Sequence, residues 1–516
     1  MIRVRQVKVL MNNDLKKEIA KKLKININEI KEIKIVKKSI DSRFKPNIYY
    51  VYEVDVKVLN EDKILKNNDI FKTPIEEYKF IPNGTNKLNK IIIVGSGPSG
   101  LFCGYLLSLY GYKPLIIERG SDVDTRINKV NEFWNNNILD IECNVQFGEG
   151  GAGTFSDGKL NTLIKDKDYR MKKVFEIFVE NGACKDIMYE NKPHIGTDVL
   201  VKVVKNIRNK IIKNGGEFRF NTKLTNIKYD NKITSIIVND NEEINCDCLV
   251  LAIGHSARDT FKMLYENNIN MQPKPFAIGI RIQHNQELIN KNQYGINYKN
   301  LPNANYKLTH TCKNGRGVYT FCMCPGGYVV NSSSENNMLA INGMSYHERN
   351  SGVSNSAVIV TVSPKDFGFN PLDGIEYQRK LESITYKTGN GLIPTQKFID
   401  YINNKKSNNL GIEPKFKGGY QLANLNEIFP EYINESLKEG ILAFDKKIKG
   451  FANDAIISAI ESRTSSPVRI LRDEYFESNI KGIYPIGEGA GYAGGITSSA
   501  IDGIKIAEAI MNKFRK

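Results

Sequence analysis

The feature that most constrains the fold is a glycine turn, Gly95-Ser-Gly97-Pro-Ser-Gly100, inside a long uncharged segment. This segment runs from Ile91 to Tyr112 without a charged side chain, which is long enough to span a bilayer as one helix. The glycine turn instead divides it into an apolar strand, KIIIVG, and a helix that starts near Pro98. A second strand, KPLIIE, follows at residues 113–118. The sequence therefore predicts a buried βαβ unit of a parallel sheet and no membrane helix.

The three glycines of this turn have the spacing found where a dinucleotide pyrophosphate meets a helix N-terminus. The first permits the tight turn, the second lets the phosphates approach the backbone, and the third allows close packing of helix on strand. The helix start offers free N–H groups and partial positive charge. An acid at the end of the second strand would accept hydrogen bonds from ribose hydroxyls and repel a 2′-phosphate, so we expect an unphosphorylated adenosine. The expected contacts are Gly95, Gly97, Pro98, Ser99, Gly100, Glu118 and Arg119.

The same glycine expression occurs twice more, at Gly148 to Gly153 and at Gly489 to Gly494, but without a strand before it, a helix after it and a downstream acid. The later copy overlaps Gly487-Glu488-Gly489-Ala490-Gly491, which follows the strand GIYPI. An acid here can accept a hydrogen bond from a ribityl hydroxyl, which FAD has and NAD lacks. A helix starting near Ile496 would direct its positive end at the flavin ring. These features favour FAD, held here by Gly487, Glu488, Gly495 and Ile496, although a glycine turn can also serve packing alone.

A third glycine-dense stretch, FGEGGAGTFSDGKL, covers residues 147–160. Backbone of this flexibility suits close approach to a flat ring or a phosphate. A plain surface loop is the alternative interpretation. We include its glycines and polar side chains among the candidate FAD contacts, together with the glycine that ends the strand CDCLVLAIG; the residues are Gly150, Gly151, Gly153, Ser156, Asp157, Lys159 and Gly254.

The order of helix and strand patterns predicts an α/β protein with a FAD-binding Rossmann-like domain formed by two chain segments. Residues 1–85 are predicted as a small α/β module, with strands such as IRVRQVKVL and a helix capped by Asn13 or Asp14. Residues 86–275 and 445–516 are predicted to form the FAD-binding domain. Between them, residues 276–444 contain strands such as FAIGIRIQ and long polar loops, which indicates an inserted β-rich substrate or cap domain.

Several long phrases together carry a family resemblance: GSGPSG with IIERG, FGEGGAGTFSDGKL, LAIGHSA, FCMCPGG, ESRTSSPVRI and IGEGAGYAGGITSSAIDGI. They resemble the bacterial FAD-dependent dehydrogenase, or NAD(P)/FAD-dependent oxidoreductase, family within the glutathione-reductase-like flavoproteins. The resemblance covers nearly the whole chain, including SIDSR at residues 39–43 of the small module. It implies FAD, a two-domain fold with an N-terminal module, and a redox activity, but it assigns no substrate.

Composition argues against most other function classes. The net charge is +16, from 73 Lys and Arg against 57 Asp and Glu, but lysine is spread along the whole chain, so nucleic-acid binding is not expected. Eight cysteines do not form a disulfide framework, and the start MIRVRQVKVLMNN lacks the apolar stretch of a signal peptide, so we expect a cytoplasmic protein. The sequence contains no His pairs at ligand spacing, so no metal site is expected. The sequence leaves the oligomeric state undetermined.

The expected activity is hydride or two-electron transfer through flavin N5, with an unassigned small-molecule substrate. A second nucleotide fingerprint is missing, so any NAD(P)H must bind without its own domain. Cys322 and Cys324 lie on a strand where their separation disfavours a disulfide, and buried packing is the favoured interpretation. The alternative function is a binding protein with structural FAD, whose basic N-terminal module docks RNA or a protein. Catalytic candidates are Arg281, His284, Arg463 and Arg469, although arginines in such positions are more often salt-bridged structural residues, and His255 is expected at a helix start near the cofactor.

Overall fold

The computed structural model describes residues 1–64 and 66–515. The N-terminal part contains β1 (Ile2–Leu10), α1 (Leu15–Leu23), β2 (Ile30–Asp41), β3 (Tyr49–Val58) and β4 (Ile70–Lys72). The next part contains β5 (Asn86–Lys87), β6 (Ile91–Val94), α2 (Pro98–Leu109), β7 (Leu115–Ile117), α3 (Val123–Asn136), α4 (Arg170–Glu180), α5 (Thr197–Lys213), β8 (Glu217–Arg219), β9 (Leu224–Tyr229), β10 (Ile233–Val238), β11 (Glu242–Asn245), β12 (Cys248–Leu251) and α6 (Arg258–Glu266). The third part contains β13 (Met271–Pro273), β14 (Phe276–Asn285), α7 (Gln286–Tyr294), β15 (Thr309–Thr311), β16 (Gly317–Cys324), β17 (Tyr328–Asn331), β18 (Ile341–Met344), β19 (Val353–Val362), α8 (Pro364–Phe367), α9 (Asp373–Thr388), β20 (Ile393–Lys397), α10 (Phe398–Ile402), β21 (Phe416–Lys417), β22 (Tyr420–Leu422) and α11 (Glu431–Asp445). The last part contains β23 (Ile456–Glu461), β24 (Val468–Ile470), β25 (Ile483–Pro485), α12 (Ile496–Lys513) and β26 (Phe514–Arg515).

The central sheet has five parallel strands in the order β25-β12-β6-β7-β8. Four of its strands, β25, β12, β6 and β7, are buried because both faces are covered, which is typical of parallel sheets, whereas the edge strand β8 is partly exposed. One face packs on α2, α5 and α12, and the other faces the antiparallel β9–β11 sheet and α6. Parallel strands end at one common edge, where doubly wound folds bind ligands. The chain is thus an α/β protein with a Rossmann-like domain completed by its last strand and helix.

A second domain is built on a seven-stranded sheet in the order β15-β16-β19-β14-β23-β20-β22. Long antiparallel ladders join β14 to β19 and to β23, and the apolar side chains of one face pack beneath α11. Strand β23 lies beyond residue 444, where the sequence pattern placed the end of this domain. The sheet therefore continues to Glu461, because IISAIE pairs with β14 rather than with the Rossmann-like strands.

The N-terminal module is a four-stranded sheet, β2-β3-β1-β4, covered by α1, which Asp14 caps by accepting from the Lys17 N–H. It docks through β2 onto the segment before Lys192. The Lys38 N–H donates to the Tyr189 carbonyl at 2.7 Å, and the Asn191 N–H donates to the Lys38 carbonyl at 2.8 Å. An ion pair between Lys38 Nζ and Glu190 Oε1 at 2.8 Å joins the same two segments. The module therefore braces the loop that carries Lys192.

The search for membrane spans over the described residues finds no helix that is both long enough and apolar enough to cross a bilayer.

Candidate functional site

A cavity of about 1070 Å³ lies between the carboxyl edge of the five-stranded sheet and the second domain. Ligand pockets usually measure about 300–1,000 Å³, so this one lies at the upper end of that range. On one side it is lined by the residues that end β6, β7 and β12 and by the turn after β25. On the other side it is lined by the end of β16 and by Glu461 of β23.

Two glycine loops meet at the floor of the cavity. A Cβ atom added to Gly97 would have only the Gly151 Cα within contact distance, at 3.8 Å, so the Gly97 backbone is open to a ligand, whereas a Cβ on Gly151 would come within 3.0 Å of the Gly97 Cα. Helices α2 and α12 begin at this floor, and neither has a side chain capping its first N–H groups. Uncapped N-termini with partial positive charge suit phosphate and other electron-rich groups.

The glycines that do not line the cavity bring chain segments together. Gly100 leaves no space for a Cβ against the Gly95 carbonyl, Gly487 is equally close to Ser99, and Gly150 to Thr154. These three expected cofactor contacts are therefore packing positions. The other expected glycines, with Pro98, Ser99 and Ile496, do line the cavity; they are Gly95, Gly97, Gly151, Gly153, Gly254 and Gly495.

The Glu118 carboxylate is engaged by the protein itself. Its Oε2 accepts from the Ser96 N–H at 2.9 Å and the Ser96 hydroxyl at 2.8 Å, and its Oε1 accepts from the N–H groups of Gly120 and Gly148, each at 3.0 Å. A carboxylate has about four acceptor positions, so none is left for a ribose. This differs from the role expected from sequence, because three loops converge on Glu118 and supply the donors. Its neighbour Arg119 is bound by Glu142 and Asp259.

The Glu488 carboxylate, in contrast, is available. Its closest polar partner among the described residues is His255, whose Nδ1 lies 3.4 Å from Glu488 Oε1. Both side chains line the cavity, and a Cβ added to the neighbouring Gly254 would meet nothing within 4 Å. His255 lies in the turn before α6, near the helix start that the sequence indicates. Glu488 and the open backbone at Gly254 thus offer an acceptor and space to a bound ligand.

The loop of Ser156, Asp157 and Lys159 joins the two domains. Although burial opposes ionisation of Asp157, Lys159 and Arg349 hold the pKa of its carboxyl well below the ordinary value. Lys159 Nζ lies 3.0 Å from Asp157 Oδ2 and donates to the Met323 carbonyl of β16. Ser156 lines the cavity and donates to the Gly153 carbonyl at 2.6 Å. The loop is therefore a fixed part of the cavity wall that carries a cation.

Comparison with known proteins shows the family to which this chain belongs. A family model described as FAD-dependent protein, C-terminal domain-like, matches residues 275–464, and one described as NAD(P)-binding Rossmann-like domain matches residues 93–148. A domain of unknown function (DUF8436) matches residues 1–57. An uncharacterized protein of Clostridium beijerinckii is 49% identical over 530 residues, 99% of each chain. The chain belongs to this family of FAD-dependent proteins.

Solved structures similar to this flavoprotein include CtdE in complex with FAD, with 12% identity over 83% of this chain and 84% of that chain and a TM-score of 0.32. Glycine oxidase from Bacillus cereus has 11% identity over 82% and 94% of the two chains and a TM-score of 0.33. Glycerol-3-phosphate dehydrogenase from Bacillus halodurans, complexed with FAD, has 11% identity over 82% and 63% and a TM-score of 0.30. The family rests on the sequence matches, and its cofactor is FAD.

The four catalytic candidates of the flavoprotein serve largely structural contacts. Arg281 is fully buried, pairs with Glu461 at 2.8 Å and donates to the Cys322 carbonyl at 3.1 Å, so it does not face the cavity. His284 is buried away from the cavity, and its Nε2 forms a hydrogen bond with the Phe451 carbonyl at 2.7 Å. Burial lowers the pKa of His284 to about 4. Arg469 lies outside the cavity lining, 5.3 Å from the ring centroid of Tyr492.

Arg463 lines the cavity, but its charge is already paired. Its Nε and Nη2 donate to the two oxygens of Glu382 at 2.9 and 2.8 Å, and Arg258 of α6 donates to the same carboxylate at 2.9 and 2.8 Å. Glu382 is fully buried in α9 of the second domain. The network therefore locks the two domains together, and long-range partners such as these cannot be read from local sequence.

Cys322 is the cavity residue whose position the sequence misjudged. It is exposed, whereas Cys324 is buried, because a β-bulge interrupts the pairing of β16 with β19 between Phe321 and Cys324. Cys322 has a left-handed φ of 42°, and bulges commonly re-aim side chains beside functional sites. Its thiol faces the cavity, where surrounding protein raises its pKa to about 12 against the opposing effect of Lys159. The run Cys-Met-Cys-Pro-Gly-Gly is the sequence signal that could have indicated it.

The structure also brings together His310, Cys312 and Glu439, whose ligand atoms lie within 4.8 Å of one another. The sequence pattern gave no indication of this cluster, since Glu439 is far along the chain. Both oxygens of Glu439 accept from the Lys313 N–H, at 3.1 and 3.2 Å, and one lies 2.9 Å from His310 Nε2. These hydrogen bonds connect β15 and the β15–β16 turn to α11.

Proposed function

We propose that this flavoprotein is an oxidoreductase that takes a small-molecule substrate into the cavity between its two domains. When bound, FAD supplies two-electron transfer through flavin N5. The observation that carries the proposal is the extent of the cavity, which continues past the glycine loops to the end of β16 in the second domain. A protein that used FAD only as a structural element would have no need for an open cavity beyond it.

The residues present fit the cofactor. The backbone at Gly97 and the start of α2 would receive the phosphates, because no side chain lies within contact distance of a Cβ at Gly97. Glu488 would accept from a ribityl hydroxyl, since its oxygens are otherwise nearly unused. Glu118, which also lines the cavity, would fix the loops that touch the cofactor.

The redox end of the cofactor would lie near the start of α12. The uncapped N-terminus of this helix and the ammonium group of Lys159 both place positive charge at the cavity wall. Fixed positive charge at such a position stabilises negative charge that develops during reduction. Arg281 holds the Cys322 carbonyl and Glu461, and so it positions the facing wall without touching the substrate.

A pyridine nucleotide, as electron donor, would bind at the opening of this cavity and not on a domain of its own. The second domain is a largely antiparallel sheet, and a strand-turn-helix nucleotide fingerprint is found, within the described residues, only at β6 and α2.

The test is anaerobic reduction of the FAD-loaded protein by NADH, NADPH and a panel of reduced organic donors, followed by reoxidation with candidate acceptors. We expect the flavin absorbance to bleach and return with at least one pair, at a rate that a solvent-exposed free flavin does not match. If added dithionite reduces the flavin but no donor or acceptor exchanges electrons faster than with free FAD, the oxidoreductase proposal fails.

A further inference from the structure

The opening of the cavity is formed by three chain segments that line it and include exposed residues such as Leu163, Lys192 and Lys307. They are residues 161–164, Lys192 and residues 305–307, and together we call them the rim. Asn161 donates to the Asn191 carbonyl at 3.0 Å, and Lys192 Nζ donates to Asn305 Oδ1 at 2.5 Å, so hydrogen bonds tie the segments to one another. The rim is therefore a connected structure, braced from behind by the N-terminal module through Lys38.

The rim carries two lysines without an acidic partner. Among the described residues, no carboxylate oxygen lies within 4.0 Å of Lys192 or Lys307, and the one side-chain partner of Lys192 is the neutral amide of Asn305. Burial against the cavity wall lowers the pKa of Lys192, with no acid nearby to oppose the effect. Most other cations that line the cavity are paired: Lys159 and Arg349 with Asp157, Arg463 with Glu382, Arg119 with Glu142 and Asp259, and Lys223 with Glu142.

The cofactor does not account for these two charges. Its phosphates would lie at the Gly97 backbone and the start of α2, and Lys274, which also lines the cavity without a carboxylate oxygen within 4.0 Å among the described residues, lies near Glu488 and Arg469 rather than at the rim. Lys192 is partly removed from water without an acidic partner, which is unfavourable unless a ligand of opposite charge restores the balance. The rim therefore has the electrostatics of a site that receives an anion from solvent.

Tyr306 lies between Asn305 and Lys307, is 6% exposed and lines the cavity, but its hydroxyl is enclosed by protein. Its ring packs against Phe451 in the core of the second domain, with the ring centroids 5.4 Å apart. Tyr306 therefore forms part of the wall beneath the rim, and the charged groups of the rim are those of the lysines.

On this basis, and resting on the proposed function, we propose that the substrate is a small organic anion whose acidic group is held at the rim by Lys192 and Lys307. Its reacting part would point inward, toward the end of β16. Neither lysine would touch the flavin, and their role would be to bind and orient the substrate.

The test is collisional quenching of bound-flavin fluorescence by iodide and by neutral acrylamide, at constant ionic strength, in the FAD-loaded full chain. Lys192→Met and Lys307→Met are compared singly and together with Lys202→Met on α5, which is exposed and lies outside the cavity lining. Screened attraction over about 10 Å predicts that the ratio of iodide to acrylamide quenching constants falls about two- to fourfold in the double variant. The Lys192→Arg, Lys307→Arg protein should keep the wild-type ratio.

Two outcomes overturn the inference. Either the double methionine variant keeps the wild-type ratio, or Lys202→Met lowers it equally, which would assign the effect to the overall net charge of +16. Failure of the proposed function gives a different result. If the wild-type chain retains no flavin after FAD loading, the proposed function fails, and not the role of the rim alone.

Discussion

Replacement of Glu118 by glutamine tests whether this carboxylate supports the cofactor loops or binds the cofactor. Each of its oxygens accepts two hydrogen bonds, at 2.8 to 3.0 Å, from Ser96, Gly120 and Gly148. In Glu118→Gln, an NH₂ group would replace one oxygen and face two donors. Hydrogen bonds to charged groups contribute about 1.5–3 kcal/mol each, so the loss should be about 3–6 kcal/mol before relaxation.

Native-state hydrogen exchange of the apo protein measures this loss locally, which avoids assuming two-state unfolding of a multidomain chain. A loss of about 3 kcal/mol should accelerate exchange of the Gly120 and Gly148 amides about 100-fold, since each 1.4 kcal/mol is tenfold. Glu488→Gln is the matched control. It should leave loop exchange unchanged but weaken FAD binding about fivefold, because a neutral acceptor replaces a charged one. If Glu118→Gln leaves the exchange rates at the wild-type values and only weakens FAD binding, the supporting role is refuted.

Three further predictions follow from burial and pairing. At neutral pH, iodoacetamide should label Cys184 of the apo protein readily and Cys322 slowly, because the pKa of Cys322 is about 12. Peptide mass spectrometry should show that FAD protects only Cys322 from labelling. Protection of both cysteines or of neither would contradict the position of Cys322 in the cavity. His284 has a pKa of about 4 in the folded state, so the free energy of unfolding should fall by on the order of 3 kcal/mol as the pH falls from about 6.5 toward 4. His284→Phe should remove that part of the pH dependence of the melting temperature. An identical pH dependence in the variant and the wild type would refute this prediction. Glu382→Gln should destabilise the domain contact by about 3–5 kcal/mol, because Arg258 and Arg463 keep their charges in a buried site, whereas a melting temperature within error of the wild type would show that the network is solvated.

The sequence predicts best where one short segment contains the whole argument. Gly97 belongs to such a segment, since strand, turn and helix are contiguous, and the structure places it at the cavity floor. Glu118 shows the limit. Its place at the end of β7 follows from local pattern, but its donors include Gly148, which lies 30 residues further along the chain. The use of its oxygens depends on tertiary convergence that no spacing encodes.

Arg281 shows the same limit among the catalytic candidates. A polar side chain inside an apolar strand indicates either a site or a buried partner, and Arg281 finds that partner in Glu461, 180 residues away. The rim lysines were missed for the opposite reason, because Lys192 and Lys307 look like many others in a lysine-rich chain. What distinguishes them is the missing carboxylate, which is a property of the folded surroundings.

The strand order of the central sheet has a consequence for the order of synthesis. β12 pairs on one side with β6, made early, and on the other with β25, from which about 230 residues separate it in the chain. At about 5–20 residues per second, a ribosome needs roughly 10–45 s to supply that missing neighbour. During this interval one long-lived strand edge is open to pairing with other chains. The whole second domain is synthesised in the same interval. Its early folding over the unfinished sheet, or the binding of a chaperone, therefore decides how much of the newly made chain folds into flavoprotein and how much aggregates.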